Sequence, residues 1–406
     1  MDDTDTYTHR WRLIVLSPWE EEDIANQLAG SGWYAAVGDI LSAGGQTPKL
    51  IDSSDWRYKW VQQTLRRLEA VIPVLQDEKE LRPDWIEGGT AIPLPPPSKY
   101  PLQPRFRESD YFEQTVHAAN PREISHEEKP IQGPPYSLLI VDRPDASNAF
   151  SYGFGPDGAA GIVVFSGFLD DIIAKYPFKD HAAPEPCAEE TSWWPAIFGG
   201  FFNVKPALSR PVPSEEQTSE LAILLAHEVA HLLLSHHIET LSVGSIVGPS
   251  ITTIVTDVIR TFMFPFTMFF GPFINDALSG VWKTSSAEVA KYSGMCTSHE
   301  QEIEADIVSA RLLAHAGFDP RHAVRFWENR AESAPDSECA HAPKEEVEDR
   351  AIGKLLPHRW AGSTHPLNVE RVKKLRQELD RWEEARRRAR EARAAPDAWW
   401  RRWPLA

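Results

Sequence analysis

The chain has 406 residues, 42% of them hydrophobic, which is enough to bury one large or two modest domains. Its net charge of −17 excludes a nucleic-acid surface, because a phosphate backbone needs a basic face. The three cysteines, Cys187, Cys296 and Cys339, are far apart and include no CxxC pair, which excludes a disulfide framework and a thiolate zinc site.

The start, MDDTDTYTHR, is acidic and polar, with neither the apolar core of a secretory signal nor the arginine-rich character of a mitochondrial presequence. Residues 1–87 read as helical. In WVQQTLRRLEAVI the residues Val61, Leu65, Leu68 and Ile72 fall at i, i+4, i+7 and i+11, one apolar stripe that packs on a neighbouring body. Residues 88–135 are proline-rich (AIPLPPPSKYPLQP, EKPIQGPP) and read as an extended connector wrapping the rest of the chain.

YSLLIVD and the stretch NAFSYGFGPDGAAGIVVFSGFL then carry strand signals, with PDG as turn chemistry between two β-prone runs. A small antiparallel sheet is expected there. Residues 176–213, containing SWWPAIFGGFF, read as an insert with a hydrophobic tip.

In the next segment, LAILLAHEVAHLLLSHHIE, four histidines and two glutamates interrupt a greasy run. Ser214 with Gln217 forms a capping-box signature behind Pro211 and Pro213, so a helix should begin at Glu215. On it His227 and His231 lie one turn apart on one face, beside Glu228. That spacing lets two imidazoles grip one zinc ion, while the glutamate reaches a water rather than the metal. Two core histidines and a carboxylate finding separate partners would be costly by comparison. His236 and His237 read as plain polar groups of the helix.

Residues 241–280 are the most apolar part of the chain, but Pro249, Asp257, Arg260, Pro265 and Pro272 leave no clean run of about 20 apolar residues. The expectation is contact with a membrane surface or a re-entrant segment rather than a full span. Ser298 and Gln301 then open a second capped helix that ends near Gly317. Within its EIEAD run Glu302 and Asp306 share a face and Glu304 points elsewhere. Glu302 would complete a three-ligand site with an open position, and Asp306 would accept a ligand histidine's free N–H. By itself the run would read as a solvated acidic face.

Taken together, SNAFSYGF with IVVFSGFL, HEVAHLLLSHH, EIEAD and STHPLNVERVKKL occur in an order that resembles metallopeptidase family forty-eight, over about Tyr136 to Leu375. The family includes CAAX prenyl proteases, HtpX-type peptidases and the mitochondrial Oma-type quality-control peptidases, of which the last are the most similar in having a hydrophobic stretch at this place. The resemblance implies a gluzincin, mainly α with a small antiparallel sheet, over residues 136–378. It implies one Zn2+ held by His227, His231 and Glu302, with Glu228 as general base. It also implies that Asn148 borders the substrate cleft and that His365 and Arg371 face it as oxyanion stabilisers. The strand of Ile162, Val163 and Val164 resembles the family's edge strand, to which a polypeptide substrate would add.

Residues 379–406 form a basic, tryptophan-rich tail that suits a solvated helix or an anionic membrane surface. The reading is thus a zinc metalloendopeptidase acting on membrane or misfolded proteins in protein quality control, membrane-associated and by resemblance at the mitochondrial inner membrane. The rival is a catalytically silent peptidase-like binding protein. A purely structural zinc domain is disfavoured by the HExxH glutamate.

Overall fold

A computed structural model of the chain describes residues 2–4, 11–42, 47–87, 92–105, 107, 130–178, 211–242, 299–333 and 369–394. The chain opens on a two-stranded antiparallel ribbon, β1 (Asp2–Thr4) and β2 (Trp11–Leu13), where a purely helical segment was expected. Then come α1 (Pro18–Leu28), α2 (Ser31–Ser42), α3 (Trp56–Glu69), α4 (Ile72–Gln76) and α5 (Glu78–Leu81). The stripe on α3 forms as expected: Val61, Leu65 and Leu68 are fully buried, Ile72 follows in α4, and the Trp60 indole donates to Thr218 at 3.2 Å.

The proline-rich stretch is extended and packed. Leu94 is buried, its carbonyl accepts from Arg386, and the Pro96 carbonyl accepts from Arg311. Arg311 is itself buried on Glu78 at 2.7 Å, and His315 sits 3.2 Å from the same carboxylate. Those contacts tie the N-terminal part to the later helices through charges that burial would penalise if they were alone.

Three strands follow: β3 (Ser137–Val141), β4 (Ala149–Gly153) and β5 (Ala160–Phe165), in the order β3-β5-β4. The hairpin of β4 and β5 is antiparallel and turns through Asp157 and Gly158, both at positive φ, where the asparagine-like tolerance of aspartate and the freedom of glycine are required. The sheet as a whole is mixed rather than antiparallel, since β5 inserts beside β3 in parallel register, Ser137↔Gly161 through Val141↔Phe165. This also corrects the edge assignment. Ile162, Val163 and Val164 belong to the central strand, with hydrogen-bonded neighbours on both sides, so they have no edge to offer a peptide. Both faces of β5 are covered. Ile162 and Val164 join the main core, while Val163 and Phe165 pack on Trp33 and Val37 of α2. That double burial is why the strand reads as a continuous apolar run.

After α6 (Ser166–Lys175) the HExxH helix α7 (Glu215–Leu233) begins where its capping box places it: Gln217 N–H donates to Ser214 Oγ at 3.2 Å and Ser214 N–H to Gln217 Oε1 at 2.6 Å. Leu221, Leu224 and Leu225 are buried on all sides of it, each stabilising the core by about 1.5–3 kcal/mol. Then come α8 (His236–Leu241), α9 (299–315), α10 (Arg321–Ser333) and α11 (Val369–Ala394). Helix α9 ends in a Schellman motif, with Phe318 N–H on the Leu313 carbonyl at 2.8 Å, Gly317 N–H on the Ala314 carbonyl at 3.2 Å, and Gly317 at positive φ.

Helix α11 runs unbroken through residue 378, so a separate tail does not begin at 379. Leu379, Trp382 and Arg386 are buried, and Arg390 donates to the Ile86 carbonyl at 3.1 Å. The arginines here strap α11 to the N-terminal part, and residues 395–406 lie outside the described residues. So do 179–210 of the insert and 243–298, which hold nearly all of the hydrophobic segment.

A candidate metal centre

The C-terminal half of helix α7 is buried except at His231, which is partly exposed, and His227 and Glu228 are fully inaccessible there. The helical repeat turns His227 and His231 to the same side, toward α9, from which Glu302 arrives. His227 Nε2 lies 3.1 Å from His231 Nε2 and 3.1 Å from Glu302 Oε2, and His231 Nε2 lies 3.4 Å from Glu302 Oε1. Zinc bonded at about 2.0–2.1 Å in a tetrahedron separates its ligand atoms by about 3.3–3.4 Å. The three side chains are thus spaced to hold one metal ion, and no other cluster of this kind occurs among the described residues.

The donor chemistry agrees. Burial pushes the His231 imidazole down to about 4, which leaves it neutral at pH 7 with a lone pair to offer. His227 is different: burial would lower it too, but Asp306 and Glu302 outweigh that and hold it above its ordinary value. A cation at its Nε2 would displace that proton, so metal uptake should release protons.

Asp306 Oδ1 lies 3.0 Å from His227 Nδ1. Burial alone would raise its carboxyl, but Arg371 and His227 hold it below the usual range. Arg371 is buried against the Asp306 and Glu302 carboxylates. Its Nε donates to Asp306 Oδ2 at 2.8 Å, Nη2 to Oδ1 at 2.9 Å, and Nη1 lies 2.9 Å from Glu302 Oε2. The guanidinium also sits 4.5 Å over the Trp327 ring, which in turn abuts the His227 ring at 5.0 Å. The polar contacts tie the guanidinium to Asp306 and to the Glu302 oxygen that also faces His227.

Two further residues belong to this cluster that the spacing alone did not reveal. His236 is buried, not a plain polar group, with its Nδ1 2.8 Å from His231 Nδ1 and its Nε2 3.1 Å from Glu304 Oε2. Glu304 therefore also points inward, because α9 is flanked by α7 on the Glu302 side and α8 on the other. His237 packs edge-to-face against Tyr152 at 4.7 Å and is lowered to about 4 by burial.

Asn148 immediately precedes β4, and its carbonyl accepts from Phe165 N–H at 3.1 Å. Strand β4, not β5, is the outer strand on that side of the sheet among the described residues. His365 lies outside the described residues. The family model for peptidase family M48 matches residues 113–379, a span that contains every residue placed in this centre. No curated protein matches the chain.

Proposed function

The chain belongs to peptidase family M48, which makes it a metallopeptidase, and from that premise we propose that it is a zinc-dependent endopeptidase of unfolded or membrane polypeptides, closest in kind to the Oma-type quality-control members. The observation that carries the zinc reading is the spacing of His227 Nε2, His231 Nε2 and the two Glu302 carboxylate oxygens, with contacts of 3.1–3.4 Å. Zinc held there would polarise the scissile carbonyl and acidify a water.

The chain's own residues do the rest. Glu228 follows the first ligand directly and is fully buried beside it; it takes the proton from the attacking water and returns it to the leaving amine. Arg371 holds Glu302 and Asp306 in place, and Asp306 fixes the ring of His227. The substrate adds as an extended strand to β4, alongside Ala149, Ser151 and Gly153, which reads main chain rather than sequence and so suits unfolded polypeptides.

Purified protein should cut an unfolded polypeptide at internal bonds, stop when zinc is removed by a chelator, and resume when zinc is restored. Intact substrate across unfolded and membrane-protein test sets would favour the silent binding protein instead.

We extend the proposal to a membrane contact through residues 241–280. Pro249, Asp257, Arg260, Pro265 and Pro272 interrupt the apolar run, so the contact is pictured at the surface or re-entrant. Wild type should float with anionic liposomes, and Phe269→Asp should stay behind while keeping its zinc. A wild type that never floats would end this extension.

A further inference from the structure

The two ligand histidines are backed differently. An imidazole that gives Nε2 to a metal carries its proton on Nδ1 and needs an acceptor there. His227 meets a carboxylate directly, Asp306 Oδ1 at 3.0 Å, whereas His231 Nδ1 meets another imidazole nitrogen, His236 Nδ1 at 2.8 Å. Two ring nitrogens at that distance cannot both carry protons.

If His231 Nε2 faces the metal, its proton is on Nδ1, and His236 must accept at Nδ1. The proton of His236 is then on Nε2, which lies 3.1 Å from Glu304 Oε2. A single arrangement satisfies every atom: His231 Nδ1–H donates to His236, and His236 Nε2–H donates to Glu304.

The backbone is bent to make this contact. On an uninterrupted helix His236, five residues on, would sit about 140° round the axis from His231. Ser235 breaks the run at φ 53°, a left-handed conformation that costs a residue with a side chain about 1 kcal/mol or more, and α8 swings His236 back under His231. From the other side, Arg12 donates to the Leu234 carbonyl and Val15 N–H to Ser242 Oγ at 3.3 Å, pinning both ends of the bend. His236 and Glu304 are only 3% and 2% exposed, so water does not compete for these bonds.

We propose that His236 and Glu304 are a positioning pair that sets the tautomer and ring orientation of His231 and thereby the strength with which the centre holds its metal. This rests on the zinc reading above. Neither residue touches a reacting atom.

The test is zinc affinity by chelator competition, with the absorption spectrum of the cobalt-substituted protein as a second readout. His236→Ala should weaken zinc about tenfold to a hundredfold, as loss of a ligand's hydrogen-bond partner does, and should alter the cobalt bands. Glu304→Gln should move both readouts the same way, since the amide no longer supplies the charge. His236→Gln should recover most of the affinity, because its amide oxygen can accept from His231 and its amide nitrogen can donate to Glu304. His237→Ala, a neighbour that packs on Tyr152 and Phe154 instead, should leave both readouts at wild-type values. Folded His236→Ala and Glu304→Gln proteins with wild-type affinity and spectrum would overturn the proposal; should His236→Ala fail to fold, Glu304→Gln decides by the same readouts. A wild type that takes up neither zinc nor cobalt would overturn the metal reading itself, and this pair with it.

Discussion

Glu228→Gln should keep zinc and fold while losing about a hundredfold to ten-thousandfold in turnover, the range for removing a general base. The substitution preserves shape and hydrogen-bonding capacity and removes only the proton acceptor. Because Glu228 is fully buried, exchanging a charge for an amide does not add a burial cost, so stability is not expected to fall. Glu228 is also not among the three residues that bring ligand atoms together, so metal content should be untouched. Single-turnover hydrolysis and metal analysis on one preparation separate these effects. Turnover within a factor of a few of wild type would remove Glu228 from the chemistry, and loss of zinc would make it a ligand instead.

What could be read from the chain follows from periodicity. The 3.6-residue repeat put His227 and His231 on one face, the Ser214 capping box and Gly317 marked helix ends, and Glu302 with Asp306 fell on one face of a second helix. The structure brings those residues together within hydrogen-bonding distances. Helix periodicity says nothing about a broken helix, however. His236 escaped because Ser235 takes a left-handed conformation that no repeat foreshadows.

Neighbourhood between distant elements was equally hidden. Arg371 is 65 residues from Asp306, and nothing in either stretch says on which side of the ligands α11 would lie. The β-branched run of Ile162, Val163 and Val164 signalled a strand, yet strand order depends on where β4 goes after β3. A central strand and an edge strand covered by helices read alike.

The proposed activity depends on one centre, and the metal content of His231→Ala tests that centre most directly. His231 supplies one of three ligand atoms, and burial keeps it neutral, so it binds without competing with a proton at pH 7. Among the described residues, His236 has its Nε2 turned to Glu304 and Arg371 is a cation, so neither takes its place. With two ligands left, a site built for three no longer holds zinc against dialysis. Wild type should carry about one zinc ion per chain and a folded His231→Ala close to none. A folded His231→Ala protein that retains stoichiometric zinc would contradict the account.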